Sequence, residues 1–220
     1  MDYFHRQIQL WGEERQASLS SKKIAIIGCG GLGSSLAFAL GGTGIGEIHL
    51  VDFDDVSVHN IHRQIAFKVG DEGKFKANVV KESIEARCPY TKAFAHVEHF
   101  EAFAKRGIEV DLIIDATDNL PSRALIDAYA KHVKTPWLYG SVEAFNGQVC
   151  FFEESSFKAF HISNKKPEGI AAPIVMHIAS LQANLALRYL AGLSVKKDML
   201  YYLYINDEGE LITQKFHMPK

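Results

Sequence analysis

The sequence predicts an α/β protein with a doubly wound, Rossmann-like mixed sheet of about eight strands, parallel in its N-terminal part and antiparallel at its C-terminal edge. Three observations carry that expectation. The apolar runs Ile24–Ile27 and Leu112–Ile114, the second within the segment Val110–Asp115, have the composition of strands buried on both faces, as in a parallel sheet. A glycine-rich turn joins the first run directly to a helical segment. Asn146-Gly147 has the composition of a tight turn between two adjacent strand segments, so the sheet turns antiparallel there.

At 220 residues the chain is long enough to bury a substantial core and is expected to form one domain. Within it, 1–21 is a helical arm, 22–152 a nucleotide-binding core, 153–172 a crossover loop, and 173–220 a long helix plus closing hairpin. The apolar share of 47% is ordinary for a globular protein. Net charge is −2, from 24 basic and 26 acidic residues, so no basic excess points to nucleic acid. No apolar span suits a membrane helix and no signal-like start is seen, so a cytoplasmic location without membrane contact is expected. The cysteines, Cys29, Cys88 and Cys150, are widely spaced and form no CxxC pair, so neither a zinc site nor a dithiol motif is expected.

Tyr3 to Leu19 is a helical or partly helical arm whose Phe4, Ile8, Leu10 and Trp11 offer an apolar face. Arg6 within it, taken alone, is a solvated charge. Ile24 to Ile27 forms the first strand and leads into Gly28-Cys29-Gly30-Gly31-Leu32-Gly33, then a helix from Ser34 to Leu40. Strand, glycine turn and helix form the context of a phosphate-binding turn. Gly28, Gly30, Gly31 and Gly33 let the backbone approach a phosphate, and the helix start offers N–H groups at the positive end of its dipole. Glu47 to Val51 is the second strand. It ends in Asp52, about 20 residues after the glycines, the place of an acid that holds ribose hydroxyls. The loop beyond it carries Asp54, Asn60, Arg63 and Gln64 past the carboxyl end of the strand, where ligands of open α/β sheets bind.

Lys74 and Lys76 stand at the start of a helix running to Arg87, with Val80 and Ile84 at core spacing. A lysine there slightly opposes the helix dipole, so helix stability does not account for it. Pro89 stops the helix. Lys92 to His96 is a short strand, Phe100 to Arg106 a short helix, and Val110 to Asp115 a buried strand. Ala116-Thr117-Asp118-Asn119 follows on the same rim as Asp52. The next helix spans Pro121 to Val133, with Leu125, Ile126, Tyr129 and Ala130 expected inward. From the residues alone, Asp118 is a helix N-cap and Asn119 a turn residue. Trp137 to Val142 and Gln148 to Glu153 are strands. Ser155 to Gly169 is polar and is expected to be a mobile crossover loop. Pro173 opens a helix to Tyr189 with Ile174, Ile178, Leu181 and Leu185 as its buried stripe, and His177 is expected at a core or interface position. Leu200 to Ile205 and Leu211 to Phe216 close the chain as a hairpin around Asn206-Asp207-Glu208-Gly209.

The glycine turn, the run from Asp52 through Asp54, Asn60 and Arg63 to Gln64, and Asp115-Ala116-Thr117-Asp118-Asn119 occur in order. On them the chain resembles the MoeB/ThiF/HesA family, bacterial relatives of ubiquitin-activating enzymes. The resemblance covers roughly residues 3–152 well and the rest weakly. It implies an ATP-dependent adenylyltransferase that activates the C-terminal glycine carboxylate of a small ubiquitin-like sulfur-carrier protein ending in Gly-Gly, releasing pyrophosphate. It further implies that the glycines approach the phosphates and Asp52 holds the ribose. Asn60, Arg63 and Lys76 then neutralise the triphosphate, and Asp118 holds magnesium with Asp54 as a helper. Gln64 and Asn119 belong to the same ATP-site motifs, and Asp115 is structural. The family's lysine falls on Lys76 by spacing, which leaves Lys74 as a solvated charge.

The arm is similar to the family's RYxRQI start. Asp2 replaces the first arginine, while Arg6, Gln7 and Ile8 match. The resemblance implies that Arg6 reaches the ATP site of a neighbouring subunit in a homodimer. Two zinc-binding CxxC pairs and a crossover-loop cysteine, common in the family, are absent, and Lys165 stands at the loop position. Zinc is therefore not expected, and no thiol stands there for a persulfide or thioester. Adenylation itself needs none. Two other readings stay open. A dinucleotide-dependent oxidoreductase fits the glycines and Asp52 but leaves Arg63, Lys76 and Asp118 unexplained. A non-catalytic partner subunit fits the missing cysteines but not the retained polar residues.

Overall fold

The computed structural model describes residues 3–160 and 169–220; the middle of the expected crossover loop, Lys165 included, lies outside the described residues. The arm is two short helices, α1 (His5–Trp11) and α2 (Glu13–Ser18), separated at Gly12, where φ is +88°. There follow β1 (Lys23–Ile27), α3 (Gly31–Leu40), β2 (Glu47–Val51), α4 (Lys76–Arg87), β3 (Lys92–His96), α5 (Phe100–Lys105) and β4 (Leu112–Asp115). The chain continues with α6 (Leu120–Val133), β5 (Trp137–Glu143), β6 (Asn146–Phe152), α7 (Ala172–Leu190), β7 (Met199–Ile205) and β8 (Leu211–His217). α3 begins three residues before the expected Ser34, inside the glycine run.

Eight strands form one sheet in the order β3-β2-β1-β4-β5-β6-β7-β8. β3, β2, β1, β4 and β5 are parallel, and β5 to β8 pair antiparallel. β4 is buried throughout, which is why its sequence is continuously apolar up to Asp115. On one face Ile24, Ile26, Leu50 and Phe151 pack with Leu36 of α3, Val80 of α4 and Ile178 of α7. On the other, Ile27, Ile113, Trp137 and Phe152 pack with Phe103 of α5 and Ile126 of α6. From β1 the chain moves outward to β2, and from β4 it moves the opposite way to β5. A crevice therefore opens at the carboxyl ends of β1 and β4, the switch point where such sheets bind ligands. No helix among the described residues is long and apolar enough to cross a membrane.

Three expectations are corrected. Asn146 and Gly147 lie inside β6, paired with Glu143 and Val142, and the turn is Ala144-Phe145. A β-carbon on Gly147 would stand 2.2 Å from Ile178, so this glycine admits α7 against the sheet instead of making the turn. The buried face of α6 consists of Arg123, Ile126, Asp127 and Ala130, whereas Leu125 is 39% exposed and Tyr129 only half-buried. Asp127 can be inside because Trp137 Nε1 and Ser156 Oγ donate to its carboxylate at 3.2 and 2.7 Å. Finally, the stripe of α7 runs through Ile174, Ile178, Gln182, Ala183 and Ala186; Leu181 and Leu185 are half-buried and His177 is exposed. Alanines on that stripe let the helix approach the sheet closely.

Candidate functional site

The glycine turn is shaped by the protein's own packing. Gly28 holds φ +95°, and a β-carbon there would lie 2.7 Å from the Ala116 carbonyl oxygen. A β-carbon on Gly33 would lie 1.9 Å from the Gly28 carbonyl oxygen, so α3 can start against β1 only with glycine there. Gly30 precedes α3 and no side chain caps the helix. The first amides of α3, including that of Gly31, are thus left to a ligand or solvent.

Asp52 ties this turn to the loop beyond β2. It is 9% exposed, accepts the Cys29 amide at 2.6 Å and accepts the Asp54 amide at 2.8 Å. Burial pushes its carboxyl above the ordinary range, against the pull of those two amides and Lys76. Burial, reinforced by Asp52, also drives the Cys29 thiol well up, so it is no nucleophile. Lys76, 5% exposed at the first position of α4, donates from Nζ to Asp54 Oδ2 at 2.9 Å, and its amide donates to the Asp54 carbonyl at 3.0 Å. Arg63 Nη2 donates to Asn60 Oδ1 at 3.2 Å, and its side chain lies beside Gly31. Gln64 is buried against Gly30, and its Oε1 has no hydrogen-bond partner among the described residues. Lys74 is not a free surface charge: its Nζ donates to the buried Asp71 at 2.8 Å, a bond that holds that carboxyl below its ordinary range.

Across the crevice, the 116–119 loop corrects the capping expectation. Asn119, not Asp118, caps α6, its Oδ1 accepting the Ser122 amide at 2.9 Å. That oxygen is committed to the cap. Asp118 is exposed and makes no hydrogen bond or ion pair among the described residues. Asp115 is fully buried; it accepts Arg123 Nε at 3.2 Å and the Thr117 amide and hydroxyl at 2.9 and 2.7 Å. Arg123 escaped the sequence reading because a charge on a helix is ordinarily assigned to solvent. Its spacing from Asp115 carries no periodic signal.

The glycines, Asp52, Asp54, Asn60, Arg63, Gln64 and Lys76 thus converge on one wall of the crevice, with Asp118 and Asn119 on the other. Arg6 does not join them. Gln7, next to it on α1, donates to the Thr43 carbonyl at 2.9 Å, which fastens the arm at the amino ends of the strands. No group of three or more His, Cys, Asp or Glu able to hold a metal occurs among the described residues. Magnesium arriving with phosphates needs only one or two carboxylates. Of Asp52, Asp54 and Asp118, only Asp118 is unengaged, so the donor set fits such an ion.

An open α/β sheet with its crevice at the switch point and polar residues suited to a polyphosphate defines a nucleotide-binding protein of the doubly wound class. Within that class the chain belongs to the ThiF family, whose model matches residues 4–220. It is 32% identical over 158 residues to a Thermus thermophilus sulfur carrier protein adenylyltransferase, covering 69% of this chain and 58% of that protein. It is 30% identical over 190 residues to the Escherichia coli sulfur carrier protein ThiS adenylyltransferase, covering 81% of this chain and 76% of that protein. The chain thus spans under two thirds of the Thermus relative's length. In fold it is similar to E. coli MccB crystallised with ATP, with a TM-score of 0.85 at 20% identity over 99% of this chain and 72% of that one. PaaA gives a TM-score of 0.84 at 22% identity over 99% and 73%.

Proposed function

We propose that residues 1–220 act as one adenylation domain that uses ATP and magnesium to activate the C-terminal glycine carboxylate of a small ubiquitin-like sulfur-carrier protein. A carboxylate oxygen attacks the α-phosphorus, the bond from that phosphorus to the bridging oxygen breaks, and pyrophosphate leaves from an acyl-adenylate. Such a transfer asks the protein for positioning and charge neutralisation, not a covalent nucleophile. The observation that carries the reading is the two-sided crevice. The uncapped start of α3 stands with Arg63 and Lys76 on one wall, opposite the unengaged Asp118.

In this reading the α3 amides, Asn60, Arg63 and Lys76 receive the phosphates, and Lys76 exchanges Asp54 for a phosphate oxygen. Asp52 keeps lone pairs for the ribose beyond those given to Cys29 and Asp54. Magnesium, when bound, neutralises phosphate charge, and Asp118 is the residue that would hold it. The buried cysteines take no part. The use of ATP suits a cytoplasmic location, and a second copy of the chain would supply Arg6. Sequence kinship to carrier adenylyltransferases supports this substrate class.

The test is exchange of labelled pyrophosphate into ATP, with candidate carriers from the source genome that end in Gly-Gly. Exchange should require magnesium and an intact carrier, and should vanish when the two terminal glycines are removed. MgATP binding without exchange for any such carrier would overturn the substrate assignment.

A further inference from the structure

The polar network behind the 116–119 loop exceeds what capping α6 requires. Arg123 is 6% exposed, and besides its bond to Asp115 its Nη2 donates to the carbonyls of Thr117 at 2.7 Å and Gly140 at 3.3 Å. Its guanidinium lies over the Tyr139 ring, 5.2 Å from the centroid. Gln182 Nε2 of α7 donates to the Asp115 carbonyl at 2.8 Å. One guanidinium therefore joins α6, the end of β4, the loop after it and β5. Asp118 sits between two residues fixed this way. Thr117 has its amide, hydroxyl and carbonyl all bonded, and Asn119 holds the helix cap.

A buried ion pair is a poor device for stability, because desolvation offsets the Coulomb attraction and neutral replacements often do as well. What arginine adds is direction: a planar fork whose donors hold several acceptors at fixed angles. We propose that Arg123 is a positioning residue, clamped by Asp115, that holds the Thr117 backbone so that the Asp118 carboxylate projects into the crevice ready for the metal–phosphate charge. A preorganised charge of this kind loses its effect when its support is loosened. The inference rests on the proposed role of Asp118.

The test measures binding of Mn2+–ATP, Mn2+ standing in for magnesium, by water-proton relaxation enhancement, which separates Mn2+–ATP on the protein from Mn2+–ATP in solution. Wild type, Asp118→Asn, Arg123→Lys, Asp118→Asn/Arg123→Lys and the charge-free Asp115→Asn/Arg123→Met are compared. Arg123→Lys keeps the charge but loses the fork. The charge-free pair keeps an acceptor for Thr117, guarding against a variant that does not fold. Both should melt within about 5 °C of wild type yet bind Mn2+–ATP at least about tenfold more weakly. Arg123→Lys should add little once Asp118 is already Asn, the non-additivity expected of residues that act as a unit. Wild-type Mn2+–ATP binding in folded Arg123→Lys, losses that simply add, or failure of both Arg123 variants to fold would each overturn the proposal. If Asp118→Asn itself binds Mn2+–ATP like wild type, the role of Asp118 fails first and takes the inference with it.

Discussion

Asp118 and Asn119 are adjacent, but Asn119 accepts the Ser122 amide while Asp118 is exposed and bonds nothing among the described residues. This division makes two substitutions informative. Asp118→Asn removes charge without touching the cap, so its urea-unfolding midpoint should match wild type. Its pyrophosphate exchange should fall at least about a hundredfold, the scale of losing one preorganised electrostatic contact. Asn119→Ala should instead cost about 1 kcal/mol of stability, the usual value of a helix cap. Exchange by Asp118→Asn at the wild-type rate and magnesium dependence would remove Asp118 from the site. The sequence placed the cap on Asp118 and left Asn119 as a turn residue, a choice that propensity does not settle because Asp and Asn cap about equally well. The choice is made by Thr117, whose amide and hydroxyl are held by Asp115 and whose carbonyl is held by Arg123, contacts that no local pattern reveals. Gly147 misled for a similar reason. Asn-Gly is a strong hairpin signal, and the Ile178 side chain that demands a glycine there comes from a distant helix.

The β2–β3 edge carries a histidine pair, His49 buried and His96 half-buried, that the mechanism does not use. His49 Nδ1 and His96 Nε2 are 3.0 Å apart, so one ring donates and the other accepts. His49 Nε2 faces Glu47 and His96 Nδ1 faces Glu98, each at 3.7 Å. Lys23 pairs with Glu47 and Arg106 with Glu98, while Phe94 stacks on His49 and Phe103 meets His96 edge-on. Burial, the largest influence, lowers the pKa of both rings; the His96 ring adds to it at His49 and Arg106 adds to it at His96, against the two glutamates. The folded chain therefore holds fewer protons here than the unfolded chain. The pair's contribution to stability is complete above about pH 6.5, the ordinary histidine value, and is lost as pH falls through the lowered folded values. Doubly protonated rings would also set N–H against N–H. Unfolding free energy should drop as pH falls below about 6.5, and less steeply in His49→Asn; equal slopes would clear the pair. The edge bears on the site because the His96 carbonyl accepts the Asp52 amide at 3.1 Å. At this scale β1 and β4 were legible, since burial on both faces leaves apolar runs. The inner faces of α6 and α7 were legible only in part: Ile126, Ala130, Ile174 and Ile178 are buried as expected. The same faces contain Arg123, Asp127 and Gln182, whose burial depends on partners from other elements.

For the whole molecule, the parallel part of the sheet gives the protein two ends with different contents. The carboxyl ends carry the glycine turn, Lys76 and Asp118. The amino ends carry the arm: Tyr3 donates to the Arg87 carbonyl at 3.0 Å, and Gln7 and Gln16 both donate to the Thr43 carbonyl at 2.9 Å. α1 has no buried residue, and Leu10 is 73% exposed. Arg6 is itself exposed and, among the described residues, bonds only Gln9 beside it on the arm, at 3.1 Å. The length of the strands separates it from the crevice, so a charge from Arg6 can serve an adenylation site only in a second copy of the chain. That geometry gives a mixing experiment a definite sign. Arg6→Ala and Asp118→Ala chains should each be nearly inactive in pyrophosphate exchange, because every homodimer has both sites defective in the same way. After subunit exchange, a mixed dimer has one site lacking both groups and one site complete. An equimolar mixture should then recover about a quarter of wild-type exchange, since half the dimers are mixed and each has one intact site of two. Subunit exchange is verified separately by energy transfer between labelled chains. Proven exchange with no recovery would mean that Arg6 does not act across the dimer. Full activity of Arg6→Ala alone would mean that the charge has no part in the reaction.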